Sequence, residues 1–93
     1  MQENKVQTIL IAEVKKRGGL AVKFVSPGLD GVPDRLVLLS GGKIAFVELK
    51  ATGKSMRPLQ QKRAKQLVGL GFRVYCIDRK EMIGSVLDEI QTS

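Results

Sequence analysis

The chain has no histidine and no tryptophan, and only one cysteine, Cys76. Without histidine there is no imidazole general base, and one cysteine cannot build a zinc finger. A lone cysteine also excludes an internal disulfide and suits a reducing compartment. Any metal must then sit on oxygen ligands, which points to Mg2+ or Mn2+. Aromatic side chains are scarce, being limited to Phe24, Phe46, Phe72 and Tyr75. Base stacking is therefore not the expected way for this chain to hold a nucleic acid. No apolar run approaches the roughly 20 residues of a membrane-spanning helix, and the polar start MQENKVQ lacks the apolar core of a signal peptide. The expectation is a cytoplasmic protein with no membrane partner.

Acidic residues are the minority, 9 against 16 Lys and Arg, for a net charge of +7. This balance favours a polyanionic partner. The remaining composition, 43% apolar and 27% charged, is that of an ordinary globular protein. A chain of 93 residues suits one domain, spanning 1–93, around one core. At this size only about 60–65% of the unfolded surface is buried, so a homodimer would add stability.

Hydrophobic spacing at Val6, Ile9, Leu10 and Val14 predicts a helix over 4–17, stopped by Gly18-Gly19. Leu20–Val25 reads as a strand and SPGLDG, 26–31, as a loop of turn formers. Arg35–Leu39 is apolar after its arginine, which predicts a central strand covered on both faces. Lys43–Lys50 is the next strand, with Ala45, Val47 and Leu49 on one face and Ile44, Phe46, Glu48 and Lys50 on the other. Pro58–Val68 reads as a helix with Ser55 as its N-cap and Leu59, Ala64, Leu67 and Val68 on its apolar side. Phe72–Ile77 is a strand that makes Cys76 a core residue. Asp78 and Glu81 resemble a capping box for a last helix, whose stripe Met82, Ile83, Val86, Leu87 and Ile90 is read as core. The order is α-β-β-β-α-β-α: an α/β fold whose mixed sheet is flanked by helices, with the last strand added in parallel through a right-handed crossover.

The chemistry gathers in Gly31–Lys50, GVPDRLVLLSGGKIAFVELK. Glu48 and Lys50, two apart on a strand, project from one face. Asp34 begins the partner strand. A two-residue Gly41-Gly42 turn would pair residues summing to 83 and send Asp34 to the wrong face. A three-residue loop, Ser40-Gly41-Gly42, gives a sum of 82 and sets Asp34 opposite Glu48. Two carboxylates so placed repel unless a cation lies between them. A divalent metal on Asp34, Glu48 and the Leu49 backbone carbonyl would polarise a phosphate oxygen, while Lys50 orients or deprotonates the attacking water. Lys54, Arg57, Lys62 and Arg63, with Lys50 and Lys65, form a basic run that would follow a DNA backbone, with marked salt dependence.

G-V-P-D-R-L-V-L, then G-G-K-I-A-F-V-E-L-K, then a glutamine in the next helix resembles the virus-type replication-repair nuclease (VRR-NUC) domain, a branch of the PD-(D/E)XK nucleases. The likeness extends from the first helix through Phe72–Ile77. It implies that Asp34 and Glu48 are metal ligands, that Lys50 is the catalytic lysine, and that Gln60 is the family's glutamine. Gly31 and Arg35 match the residues flanking the proline-aspartate step, and Arg35 joins the DNA-contacting set. It further implies Mg2+- or Mn2+-dependent cutting of branched double-stranded DNA by homodimers resembling Holliday-junction resolvases. One position departs: where the family carries a glutamate in the first helix, the alignment places Gln7. Three readings stand: Gln7 coordinates through its carbonyl, Glu3 one turn earlier supplies the acid, or the chain is a deliberately disabled form of an active enzyme. The alternative to a nuclease is a catalytically weakened, structure-selective DNA-binding module.

Overall fold

The computed structural model describes residues 1–93. Helix α1 (Glu3–Lys16) leads into strands β1 (Leu20–Lys23), β2 (Arg35–Leu39) and β3 (Lys43–Leu49), then helix α2 (Pro58–Gly69), strand β4 (Val74–Ile77), a 3-10 turn (Lys80–Met82) and helix α3 (Ile83–Thr92). This is the α/β order read from the sequence. The sheet runs β1-β2-β3-β4, antiparallel except for the parallel β3–β4 pair that α2 connects.

The β2–β3 register pairs Arg35 with Val47 and Leu39 with Lys43. The connection is therefore the three-residue Ser40-Gly41-Gly42 loop, and both glycines have positive φ, at 80° and 74°. That conformation costs glycine little because it has no Cβ. The register carries forward to the end of the hairpin and brings Asp34 against Glu48.

The core lies on one side of the sheet. Val6, Leu10 and Val14, spaced along one face of α1, meet Val37, Leu39, Ala45, Val47, Leu49 and Ile77 from the strands. Ile83, Val86, Leu87 and Ile90 of α3 close it, so the last helix's stripe is core as read. Arg17 joins α1 to α3 through an ion pair with Asp88 at 2.8 Å.

The other side of the sheet corrects several expectations. Leu36 and Leu38 are only half-buried, so β2 is fully covered on one face alone. No residue of α2 is buried, and Leu59 and Val68 of its apolar side are exposed. β1 stops at Lys23 and β4 begins at Val74, each shorter than its apolar run suggests. Ser55 does not cap α2; the cap position is Arg57. Asp78 does not cap the last helix, because its carboxylate is taken by Arg79 and by the Gly53 N–H. Cys76 is half-buried, paired in register with Glu48 rather than enclosed in the core. No helix is long and apolar enough to cross a membrane.

Gly19 closes the α1–β1 turn against the hairpin. A Cβ there would lie 2.4 Å from the Leu38 carbonyl oxygen, a backbone atom that cannot step aside. Gly19→Ala is expected to lose about 2–3 kcal/mol of unfolding free energy, and Gly28→Ala, with open space around it, much less. Urea unfolding of the two variants checks this.

Candidate active site

β3 ends by turning its even residues into a wall. Phe46 packs between Phe24 and Phe72, with ring centroids 5.5 and 5.6 Å away. Glu48 follows one step along the same face, and Lys50 one step further. Alternation along the strand sets this pair at the mouth of the apolar face of Ile44 and Phe46. The structure buries it, leaving Glu48 5% and Lys50 8% exposed. Part of the cover comes from the first turn of α2, where Gln60 reaches Glu48.

Glu48 is held by three donors. The Asp34 N–H reaches its Oε1 at 3.2 Å, Gln60 Nε2 reaches Oε2 at 2.9 Å, and Lys50 Nζ lies 3.3 Å from Oε2. Asp34 returns the contact, accepting the Leu49 N–H on Oδ1 at 3.2 Å. No buried side-chain nitrogen or oxygen lacks a partner. Continuing the hairpin register sets Leu49 opposite Pro33, which has no N–H to give. The neighbouring strand thus offers no donor there to the Leu49 carbonyl.

Gln60 serves two ends at once. Its Oε1 accepts the Arg57 N–H at 2.9 Å and so caps α2, while its Nε2 donates to Glu48. The cap fixes which end of the amide faces the carboxylate. A glutamate would keep the cap but set a second negative charge against Glu48.

The Asp34 carboxyl is pushed up to about 6 from an ordinary 3.8, first by burial and then by the Glu48 charge; Glu3 adds to the rise, while the Leu49 N–H opposes it. Burial, followed by Glu48, also raises the Cys76 thiol. Two carboxylates competing for one space form an oxygen-donor pair suited to a hard cation. Three or more acidic, cysteine or histidine residues do not cluster tightly enough to enclose a metal. The set therefore fits an ion that keeps part of its water, as Mg2+ does on one or two carboxylates.

Gln7 is half-buried and makes no side-chain hydrogen bond to Asp34 or Glu48. Glu3, a turn earlier, is the first-helix acid whose charge Asp34 feels. Its spacing to Gln7 carries the signal, since residues four apart share a helix face. Lys54, Arg57 and Lys62 are exposed beside the site. Arg63 is engaged, donating to the Asp30 carbonyl at 2.7 Å and so holding the 26–31 loop to α2. Arg35 shares the core face of β2 with Val37 and Leu39, away from Glu48, and its guanidinium reaches the Ala21 carbonyl at 3.4 Å.

An acid at the start of one strand and an E-x-K at the end of its neighbour, on a mixed sheet flanked by helices, define a nuclease fold of the PD-(D/E)XK type. No protein-family model matches the chain. “Putative nuclease p44” of Acyrthosiphon pisum secondary endosymbiont phage 1 is 46% identical over 82 residues, 88% of this chain and 88% of that protein. A solved structure of a VRR_NUC domain superposes with a TM-score of 0.86 at 28% identity, over 92% of this chain and 94% of that one. The chain belongs to the VRR-NUC family of nucleases, a fold that generally works with divalent metals on nucleic acid.

Two outcomes follow from this geometry. Because its folded pKa lies above the unfolded one, the Asp34 carboxyl favours folding when protonated. That contribution is complete below about pH 4 and is lost as pH rises through about 6. In chelator, unfolding free energy is expected to rise by about 1–2 kcal/mol between pH 7 and 4.5, after allowance for solvent screening. Asp34→Asn should remove that rise, as read by urea unfolding across pH. Gln60→Glu is expected to cost about 1–3 kcal/mol in the same assay at pH 7, where Gln60→Met should cost less than Gln60→Glu.

Proposed function

We propose that this chain is a Mg2+- or Mn2+-dependent endonuclease that hydrolyses phosphodiester bonds in branched double-stranded DNA, in the manner of a Holliday-junction resolvase. The observation that carries the reading is the convergence of Asp34, Glu48 and Lys50 on one buried network. Asp34 and Glu48 would hold the ion, with the Leu49 carbonyl as a backbone ligand. When bound, the ion supplies Lewis-acid polarisation of a phosphate oxygen and a lower pKa for its water. Gln60 keeps Glu48 oriented. Lys50, already 3.3 Å from Glu48, orients the attacking water and offsets charge on the phosphate. We assign the first-helix acid to Glu3, the carboxylate one turn before Gln7 on the same helix face.

Lys54, Arg57 and Lys62 would follow the DNA backbone, with Arg63 and Arg35 placing the loop and strand beside them. A homodimer is supported by the uncovered apolar face. Leu20, Leu38 and Ile44 lie in one row across it and Val22 and Leu36 in the next, and Leu20 is 63% exposed. Two symmetric copies would present two sites to the opposed strands of a junction. The whole chain, 1–93, acts as one nuclease domain, at work in the cytoplasm of an infected or bacterial cell.

The test is cleavage of a labelled four-way junction in Mn2+, beside a linear duplex of the same sequence. The chain is expected to cut the junction in preference. Asp34→Asn, Glu48→Gln and Lys50→Met should each lose at least about a hundredfold in rate. Isosteric changes matter because Glu48→Ala would strand the buried Lys50. Glu3→Gln should lose activity and Gln7→Glu should gain none. Junction binding without cutting by both the chain and Gln7→Glu would instead establish the DNA-binding module.

A further inference from the structure

Asp78 lies just past β4, outside the Asp34–Glu48–Lys50 network, yet it is half-buried and accepts from three groups. Its Oδ2 takes the Gly53 N–H at 3.1 Å and its backbone carbonyl takes Thr52 Oγ1 at 3.0 Å. Arg79 neutralises the carboxylate through Nε at 3.0 Å and Nη2 at 3.1 Å. These bonds fix the tight turn that leaves Lys50, which is closed by the Lys54 N–H on the Ala51 carbonyl at 2.9 Å and needs positive φ, 84°, at Gly53.

The turn then reaches the other end of the chain. The Thr52 N–H donates to the Met1 carbonyl at 3.0 Å. The next carbonyl, that of Gln2, accepts from Lys5 and Val6 and starts α1. Glu3 is the first residue of that helix. α1 has no side-chain cap of its own. The contact from Thr52 is thus the nearest external anchor for its first turn.

We infer that Asp78 is a positioning residue: through the Thr52–Gly53 turn and Met1 it sets Glu3 and Lys50 relative to Asp34 and Glu48. This rests on the nuclease reading for the roles of Glu3 and Lys50, but the strap itself is a matter of hydrogen bonds. It has no part in the chemistry and touches no reacting atom. Its removal would loosen the first turn of α1 and the exit from β3 while leaving the core of α1, α3 and the sheet in place.

The experiment compares Asp78→Ala with Asp78→Asn, which keeps an acceptor for Gly53, and with Thr52→Pro, which removes the N–H given to Met1. Amide exchange by NMR reads the strap without any metal. Asp78→Ala and Thr52→Pro are expected to speed exchange of the Lys5 and Val6 amides, with Val37 and Ala45 unchanged and Asp78→Asn close to the parent. Mn2+ titration reads the consequence. Affinity should fall about tenfold in Asp78→Ala, as when a supporting residue behind a metal ligand is lost, with recovery in Asp78→Asn. In a Glu3→Gln background the same substitution should cost little more. Unchanged exchange at Lys5 and Val6 in Asp78→Ala would overturn the strap. An equal loss of Mn2+ affinity with and without Glu3 would overturn its action through Glu3. Failure of the unsubstituted chain to bind Mn2+ would instead overturn the metal reading, and the exchange data would show that failure to be separate.

Discussion

Glu48 places two oxygens among three donors, and each donor arrives from a different part of the chain. Asp34 gives its N–H from the entry to β2, Gln60 its amide from the first turn of α2, and Lys50 its ammonium from the exit of β3. A carboxylate 5% exposed would be costly without such company, since burial penalises the charged form by several kcal/mol. The Gln60 contact does structural work elsewhere. α2 buries no residue, so apolar packing alone does not decide where it sits. Its seat is polar and local: Gln60 on Glu48, Arg63 on the Asp30 carbonyl, and Leu59 against Gly31, where any Cβ would lie 2.8 Å from the leucine side chain. Positive φ at Gly31, 85°, makes the same demand on the backbone.

Beside this carboxylate stands one whose charge is opposed. Asp34 gives its N–H to Glu48, yet its carboxyl is raised by that neighbour's charge and by burial. Oriented backbone and opposed charge are both consequences of the hairpin register. A fold selected for stability alone would place an amide or an apolar residue at 34. Charge kept where it opposes folding marks a site whose purpose lies outside the folded chain. A divalent cation between the two acids would reverse the sign of their interaction, so the proposed ion would add to the stability of the site as well as supply its chemistry.

What the sequence made legible follows from short-range rules. Alternation along β3 separates Ala45, Val47 and Leu49 from Phe46, Glu48 and Lys50, and the count of loop residues decides the register; both depend on neighbours only. The burial of Glu48 was not legible, because it depends on α2 folding back across the end of β3. Gln60 as a cap for Arg57 escaped notice for a related reason: Ser55 is the better capping residue by type, and only the position of Glu48 makes the glutamine the one that turns inward. Asp78 carried a sound local signal, with Glu81 three residues on, but a distant turn outcompeted the adjacent helix for its oxygens. Spacing could not choose between Glu3 and Gln7, since residues four apart share a helix face; in the structure Gln7 is half-buried and Glu3 exposed.

The two faces of the sheet then divide the work of a small chain. One face is closed by α1 and α3 and holds every member of the aliphatic core. On the other, the side chains of β3 pass from exposed Ile44 through Phe46 to Glu48 and Lys50 over seven residues. The aromatic trio of Phe24, Phe46 and Phe72 stands between the open apolar rows and the charged end. It borders Glu48 along the strand, and with Glu48 and Lys50 both buried their contact is worth more than the same pair at a surface. The rows beyond the trio have no such task within one copy of the chain, and covering them costs the core nothing. On the proposed dimer, a substitution at Leu20 or Ile44 would act on association, and one at Phe46 on the charge network, even though all three lie on one face of one sheet.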